Sequence, residues 1–240
     1  MSYGIVIKLR YVLHIHIISL FKNNVYYIFI YYILMENIKK KYNILCETPS
    51  DINEHLPTLF EYAKKCNSVL ELGVRGCVSS YAFALGLLNN DTNSGCRLIM
   101  NDLNECNISE LLSHCKNLDK IQIEYHWIND LDLNIDSNVD MTFIDTWHIY
   151  GHLKRELEKF SKITNKYIIM HDTTLDGIYG ETIRCNWDAH RQSTITGIPV
   201  IEILQGLKPA IDEFLIKYPE WKIDKVFTNN CGLTILKRTN

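Results

Sequence analysis

Two short stretches hold the side chains best suited to chemistry. Phe143-Ile144-Asp145-Thr146-Trp147-His148 and Ile169-Met170-His171-Asp172-Thr173 each run from apolar residues into an acid beside or near a histidine. If both runs are strands of a doubly wound sheet, their acids emerge at neighbouring carboxyl ends, the side on which open α/β sheets bind ligands. There they can converge on one ion. Coordination to a divalent cation lowers the pKa of a hydroxyl, a poor nucleophile at neutral pH, and a histidine titrating near neutrality can then remove its proton. A plainer reading stays open, in which each histidine is a satisfied structural residue and His148 with His152 marks one exposed helix face. Glu156 either supports the site or meets solvent. A zinc pair at His148 and His152 is disfavoured, because the glutamate of H-E-x-x-H is absent.

A second constellation lies upstream. Val69-Leu70-Glu71-Leu72-Gly73-Val74-Arg75-Gly76 places Glu71 at the end of an apolar strand and two glycines in the turn before a helix. Glycines there let the backbone approach a ligand, and the helix N-terminus offers free N–H groups, an arrangement suited to a nucleotide-like molecule. NAD is disfavoured. Its fingerprint needs a third glycine and an acid about 20 residues further on, whereas Glu71 precedes the glycines. A second acid, Asp102, closes the run Met100-Asn101-Asp102, and Trp127-Ile128-Asn129-Asp130 follows the third apolar strand, where plain turn chemistry is the alternative.

The pattern E-x-G-x-x-G resembles motif I of the class I S-adenosylmethionine-dependent methyltransferases. That resemblance implies that Glu71 lies near the aminoacyl end of the cofactor, that Gly73 and Gly76 pack against it, that Asp102 accepts the ribose hydroxyls, and that Asn129 and Asp130 contact adenine. More specifically, D-x-x-H-x-Y at Asp145 and H-D-T at His171 resemble a methyltransferase group that includes the macrolide-sugar O-methyltransferases and the protein called cephalosporin hydroxylase, over residues 46 to 240. The group implies Asp145 and Asp172 as metal ligands and His148 as base. His171 stands where the sugar enzymes have an acid, so it either joins the metal ligands or orients a neighbour. Magnesium, which prefers oxygen, is the expected ion, with Mn²⁺ or Fe²⁺ better suited if His171 ligates. Hydroxylase activity is poorly founded, because the 2-His-1-carboxylate triad is not evident.

The expected activity is metal-assisted O-methylation of a small-molecule hydroxyl, on a sugar or glycoconjugate. The alternatives are a metal-independent methyltransferase and a catalytically silent cofactor-binding or structural protein.

Elements able to position these residues alternate from Ser50 onward, short β-like runs with longer helical ones, the order of a mostly parallel sheet covered on both faces. Strands are expected at Ser68 to Leu72, Arg97 to Asn101, Ile121 to His126, Met141 to Ile144 and Tyr167 to Met170. A helix over Lys208 to Tyr218 follows, then a terminal antiparallel hairpin of Trp221 to Phe227 and Leu233 to Lys237, turning at Asn229-Asn230-Cys231-Gly232. Asp51 with Glu54 suggests a capping box for a helix that buries Leu59, Tyr62, Ala63 and Cys66. Between Thr173 and Lys208 no core pattern shows, which suggests a lid or binding loop at the acceptor site, with a plain surface loop as the alternative. The fold class expected is α/β, a Rossmann-like class I methyltransferase fold with a seven-stranded, mostly parallel sheet and helices on both faces.

A chain of 240 residues suits one such domain, expected over residues 35–240. A formal net charge of -3 makes nucleic acid a poor partner. The eight cysteines are dispersed without a C-x-x-C pair, which suggests a reduced, cytoplasmic protein without structural zinc. A homo-oligomer is compatible with the sequence. Residues 1–34 read as a separate apolar extension. Lys22-Asn23-Asn24 splits residues 11–35 into runs of about half the roughly 20 residues a membrane span needs, so membrane association there stays open. Two further readings compete with an anchor: Met35 as the true start, and an added strand or partner-binding arm, suggested by the period of two between Ile5 and Ile17.

Overall fold

The computed structural model describes residues 33–92, 95–116 and 118–239. The expected extension over residues 1–34, its membrane reading and its period of two fall, apart from residues 33 and 34, outside the described residues. Residues 33–47 form a helix, α1, which the sequence pattern does not single out. Ile38 is its buried anchor. Among the described residues no helix is long and apolar enough to cross a membrane.

The expected sheet is present. Its seven strands are β1 (Ser68–Leu72), β2 (Cys96–Asp102), β3 (Ile121–Trp127), β4 (Val139–Ile144), β5 (Thr164–His171), β6 (Trp221–Phe227) and β7 (Leu233–Arg238), in the order β3-β2-β1-β4-β5-β7-β6. Strands β1 to β5 pair in parallel, and β7 pairs antiparallel with β5 and β6. β1 and β4 are central and buried on both faces, which is why they read as largely apolar runs, interrupted by Glu71 in β1 and by Asp140 and Thr142 in β4. Alternation still sorts their side chains: Val69, Met141 and Phe143 pack on one face, Leu70, Leu72 and Ile144 on the other.

Helices α2 (Leu56–Ala63) and α3 (Val78–Leu88) cover the first face, and α5 (Tyr150–Phe160) and α9 (Leu207–Lys217) the second; α4 (Ser109–Cys115) follows β2. In α2 the expected face of Leu59, Tyr62 and Ala63, with Cys66 just beyond, is buried. The expected capping box does not form at the start of α2, which follows a 3-10 turn over Asn53–His55 and has no side-chain cap. Ser50 and Asn53, not Asp51 and Glu54, make the reciprocal pair: the Asn53 N–H donates to Ser50 Oγ and the Ser50 N–H to Asn53 Oδ1, each at 3.0 Å. Asp51 is drawn off by the Arg75 guanidinium at 2.5 Å, and Glu54 accepts from the Asn229 amide. Cys66, Cys77, Cys96 and Cys115 serve as small apolar groups in the core.

The segment between Thr173 and Lys208, expected to lack pattern, contains three short helices, α6 (Gly180–Arg184), α7 (Ala189–Thr196) and α8 (Val200–Ile203). Their shortness hides the periodicity from sequence. Asp188 caps α7 by accepting from the N–H groups of His190 and Arg191, and Gly197 ends it in the left-handed conformation. Ile149, Ala189, Ile198 and Ile203 give the segment a small core of its own.

Candidate functional site

A cavity of about 1080 Å³ opens at the carboxyl ends of β1, β2, β3 and β4. One wall is the turn after β1. Gly73 sits there at φ +90°, and a Cβ in its place would lie 1.9 Å from the backbone oxygen of Asp145, so only glycine fits between the two turns. Arg75 and Cys77 also hold positive φ, at 43° and 59°. Such backbone persists only where the surroundings impose it. Asp102 imposes part of it: its Oδ2 accepts from the N–H groups of Val74 and Arg75, each at 2.9 Å, and its Oδ1 from Asn104 at 2.8 Å. Asp102 thus lines the cavity as expected but already grips the loop, leaving its remaining lone pairs for a ligand.

Glu71 departs from expectation. It is fully buried outside the cavity, where Ser79 Oγ donates to Oε1 at 2.5 Å and Ser80 Oγ to Oε2 at 2.7 Å. Burial pushes its carboxyl up to about 8. It anchors the first turn of α3 and is not among the residues that line the cavity. Gly76 lines the cavity, but a Cβ added there would meet nothing within 4 Å, so no close approach demands glycine. Asn129 and Asp130 also line it. Asn129 Oδ1 accepts from the Leu131 N–H at 2.8 Å and caps the turn Asp130–Asp132, while Asp130 pairs with His152, Nε2 to Oδ1 3.2 Å.

The two acid stretches converge. Asp145 leaves β4, and His171 and Asp172 end and follow β5, the neighbouring strand. His148 Nε2 lies 3.1 Å from Asp145 Oδ1, and its Nδ1 lies 3.3 Å from Asp172 Oδ2. His171 Nδ1 reaches both acids, at 3.3 Å from Asp145 Oδ1 and 3.2 Å from Asp172 Oδ2. Asp172 holds φ +57°, a left-handed conformation that aspartate tolerates better than most residues. The acids command the protonation of this cluster. Burial opposes charge on His148 and His171, yet the carboxylates raise His148 well above its ordinary value and His171 to about 10. Burial likewise opposes the charged form of Asp145, and the two imidazoles still hold it well below the usual carboxylate range.

Asp145, His148 and Asp172 each offer one ligand atom within 4.8 Å of the others, a set able to hold a metal ion. His171, expected among the ligands, falls outside that set. Its Nε2 lies 3.2 Å from the carbonyl of Asn230 and donates to it, which fixes the ring against the C-terminal hairpin. Sequence reasoning missed the residue that orients His148. Asp176, wholly buried on the loop after β5, accepts from Arg184 at 2.6 and 2.8 Å and lies 3.2 Å from His148 Nδ1. A lone Asp four residues past Asp172 carried no motif. His148 and His152 do not share a helix face, because α5 starts after His148; they serve separate clusters. His152, on α5, is buried with Asp130 and Glu156, so Glu156 is not solvated as the plainer reading had it. Burial pushes the Glu156 carboxyl up to about 8.

The outer wall comes from the segment after β5. Glu181 of α6, Trp187, and Ile195, Gly197 and Ile198 at the end of α7 face the cavity, opposite Trp147 and Arg155. The region expected to serve an acceptor therefore does border the same space as the glycine turn.

No family model and no curated protein matches this chain. Solved structures do. The O-methyltransferase TomG from Streptomyces achromogenes, involved in tomaymycin synthesis and solved with S-adenosylmethionine, is 15% identical, with a TM-score of 0.53 over 85% of this chain and 90% of its own. An O-methyltransferase from Bacillus cereus in complex with S-adenosylhomocysteine is 14% identical, with a TM-score of 0.52 over 85% of this chain and 91% of its own. The likeness is one of fold: this chain has the Rossmann-like fold of class I methyltransferases, with the antiparallel C-terminal strands expected from its sequence.

Proposed function

We propose that the protein is an S-adenosylmethionine-dependent O-methyltransferase acting, with a divalent cation, on the hydroxyl of a small molecule, a sugar or glycoconjugate. One observation carries the reading: His148 and His171 each lie within 3.3 Å of both Asp145 and Asp172, beside a cavity walled by the glycine turn and Asp102. The cavity suits the cofactor, because a backbone turn that only Gly73 can make, the Asp102 carboxylate and the Asn129 loop border one continuous space. The fold, shared with cofactor-bound O-methyltransferases, supports the same assignment.

The donor set suits a divalent cation. Asp145 and Asp172 supply carboxylate oxygens, which Mg²⁺ and Mn²⁺ prefer, and an ion there would offset the two acids that otherwise hold a proton on His148, freeing the ring to act as base. When bound, such an ion lowers the pKa of a coordinated hydroxyl and fixes its position. The chain's own residues do the rest. Asp176, pinned by Arg184, holds the His148 ring so that its other nitrogen faces the Asp145 side, where an acceptor proton can be taken up. Trp147, Trp187 and Ile198 offer apolar surface and Arg155 and Glu181 polar groups, a mixture suited to a sugar ring with its hydroxyls.

Titration calorimetry with S-adenosylhomocysteine tests cofactor binding, and a screen of sugar, glycoconjugate and phenolic acceptors with methyl-labelled S-adenosylmethionine tests transfer. EDTA is expected to abolish transfer, and Mg²⁺ or Mn²⁺ to restore it. Absence of cofactor binding would refute the assignment; full turnover in EDTA would leave a metal-independent enzyme.

A further inference from the structure

The cavity wall holds a second cluster that the proposed reaction does not use. Asp130, from the turn after β3, and His152 and Glu156, one turn apart on α5, each offer a ligand atom within 4.8 Å of the others. His152 Nε2 lies 3.2 Å from Asp130 Oδ1 and 3.8 Å from Glu156 Oε1. All three residues are more than nine-tenths buried, with exposures of 7% for Asp130, 7% for His152 and 0% for Glu156.

Two carboxyl oxygens of the cluster lack a donor. Thr146 Oγ1 donates to Glu156 Oε1 at 2.7 Å, but no donor group reaches Glu156 Oε2 or Asp130 Oδ2. Buried carboxyl oxygens without a donor are costly, so either a shared proton or a cation must lie between the two acids. The nearby basic side chains are committed elsewhere. Lys159 donates to the backbone carbonyls of Asp130 and Leu131 at 3.0 and 2.6 Å, and Arg155 to the Gly151 carbonyl and to Glu202.

We propose that Asp130, His152 and Glu156 form a second divalent-cation site, which takes Zn²⁺ or an ion of similar borderline character and clamps the turn after β3 to α5. One imidazole nitrogen with two carboxylates, in an enclosed pocket, suits tetrahedral zinc with a hydroxyl or water as fourth ligand, whereas Mg²⁺ and Ca²⁺ prefer oxygen alone. The ion neutralises both acids and occupies the two free oxygens. Asp130 and His152 both line the cavity, so the clamp sets the shape of the wall beneath the expected adenine contact. This site is separate from that of Asp145, His148 and Asp172, and it does not depend on methyl transfer.

The test is metal stoichiometry on the full chain, stripped by chelator and titrated with Zn²⁺, with bound metal counted by mass spectrometry after gel filtration. Folding of each variant is followed by circular dichroism. Wild type is expected to bind two ions, and His152→Gln and Glu156→Gln to lose one that Asp172→Asn keeps. Cobalt in place of zinc is expected to give the visible absorption of a tetrahedral nitrogen and oxygen site in wild type and Asp172→Asn, which decides the matter should either glutamine variant fail to fold. Folded His152→Gln and Glu156→Gln chains that retain every ion, or a wild type without tetrahedral cobalt absorption, would overturn the site and show that Asp130 and Glu156 share a proton instead. A single ion lost in Glu156→Gln but kept in Asp172→Asn would sustain this site while removing the cation from the reaction proposed above.

Discussion

Substituting Gly73 by alanine isolates the contact that joins the cofactor loop to the acid cluster. An added Cβ would stand 1.9 Å from the Asp145 carbonyl oxygen, and real Cβ atoms essentially never come within 3.0 Å of a neighbour. The turns after β1 and β4 must therefore part by about 1.1 Å. One backbone hydrogen bond joins those turns, from the Asp145 N–H to Leu72 O, 2.9 Å long. Losing it costs about 1 kcal/mol. A left-handed backbone adds roughly 1–2 kcal/mol for alanine, for a total of about 2–3 kcal/mol. In a chain of this size that lowers Tm by roughly 4–12 °C. Thermal melts followed by circular dichroism measure it, with Gly76→Ala as the control. Gly76 faces open space, so its variant is expected within about 0.5 kcal/mol of wild type. A Gly73→Ala protein that melts with wild type, or no lower than Gly76→Ala, would refute the reasoning.

Asp176→Asn, which loosens the grip on His148, is expected to lower turnover about 10- to 100-fold while leaving S-adenosylhomocysteine affinity unchanged in calorimetry; an equal loss of affinity would mean general damage. Glu71, raised from 4.5 to about 8 by burial, binds more protons folded than unfolded between those values, so its contribution to stability is full below pH 4.5 and is lost as pH rises through about 8. Urea melts at a series of pH values are expected to show Glu71→Gln gaining on wild type across that window by up to about 1.4 kcal/mol per pH unit, and parallel curves would exclude the effect. Asp172→Asn is expected to keep the fold, since asparagine also tolerates φ +57°, whereas Asp172→Val is expected to melt lower by several degrees.

The parts of the molecule governed by short-range pattern were legible in the sequence. Val69 to Leu72 and Met141 to Ile144 could be read as buried strands because short, mostly apolar runs suit a sheet covered on both faces, and the acids that follow β4 and β5 then had to share one edge. Asp145, His148 and Asp172 could be paired for that reason. What the pattern could not carry was the choice among alternative partners. Glu71 sits in a motif that suggests a ligand, yet the hydroxyls of Ser79 and Ser80, one turn into the next helix, claim it first. Asp176 and Arg184 meet through the loop geometry after β5, and Asp130 and His152 meet across 22 residues. Neither distance leaves a periodic trace. The three short helices between Thr173 and Lys208 escaped because each spans too few turns to show an apolar stripe.

The hairpin turn at the far end of the chain reaches into the acid cluster. Asn230 offers its carbonyl to both His55 and His171, and Cys231 offers its own to the N–H groups of Thr174 and Leu175. The groove is therefore complete only once the turn between β6 and β7 has docked on it. A chain without that turn would keep every signature motif and lose the carbonyl that holds the His171 ring in place between Asp145 and Asp172.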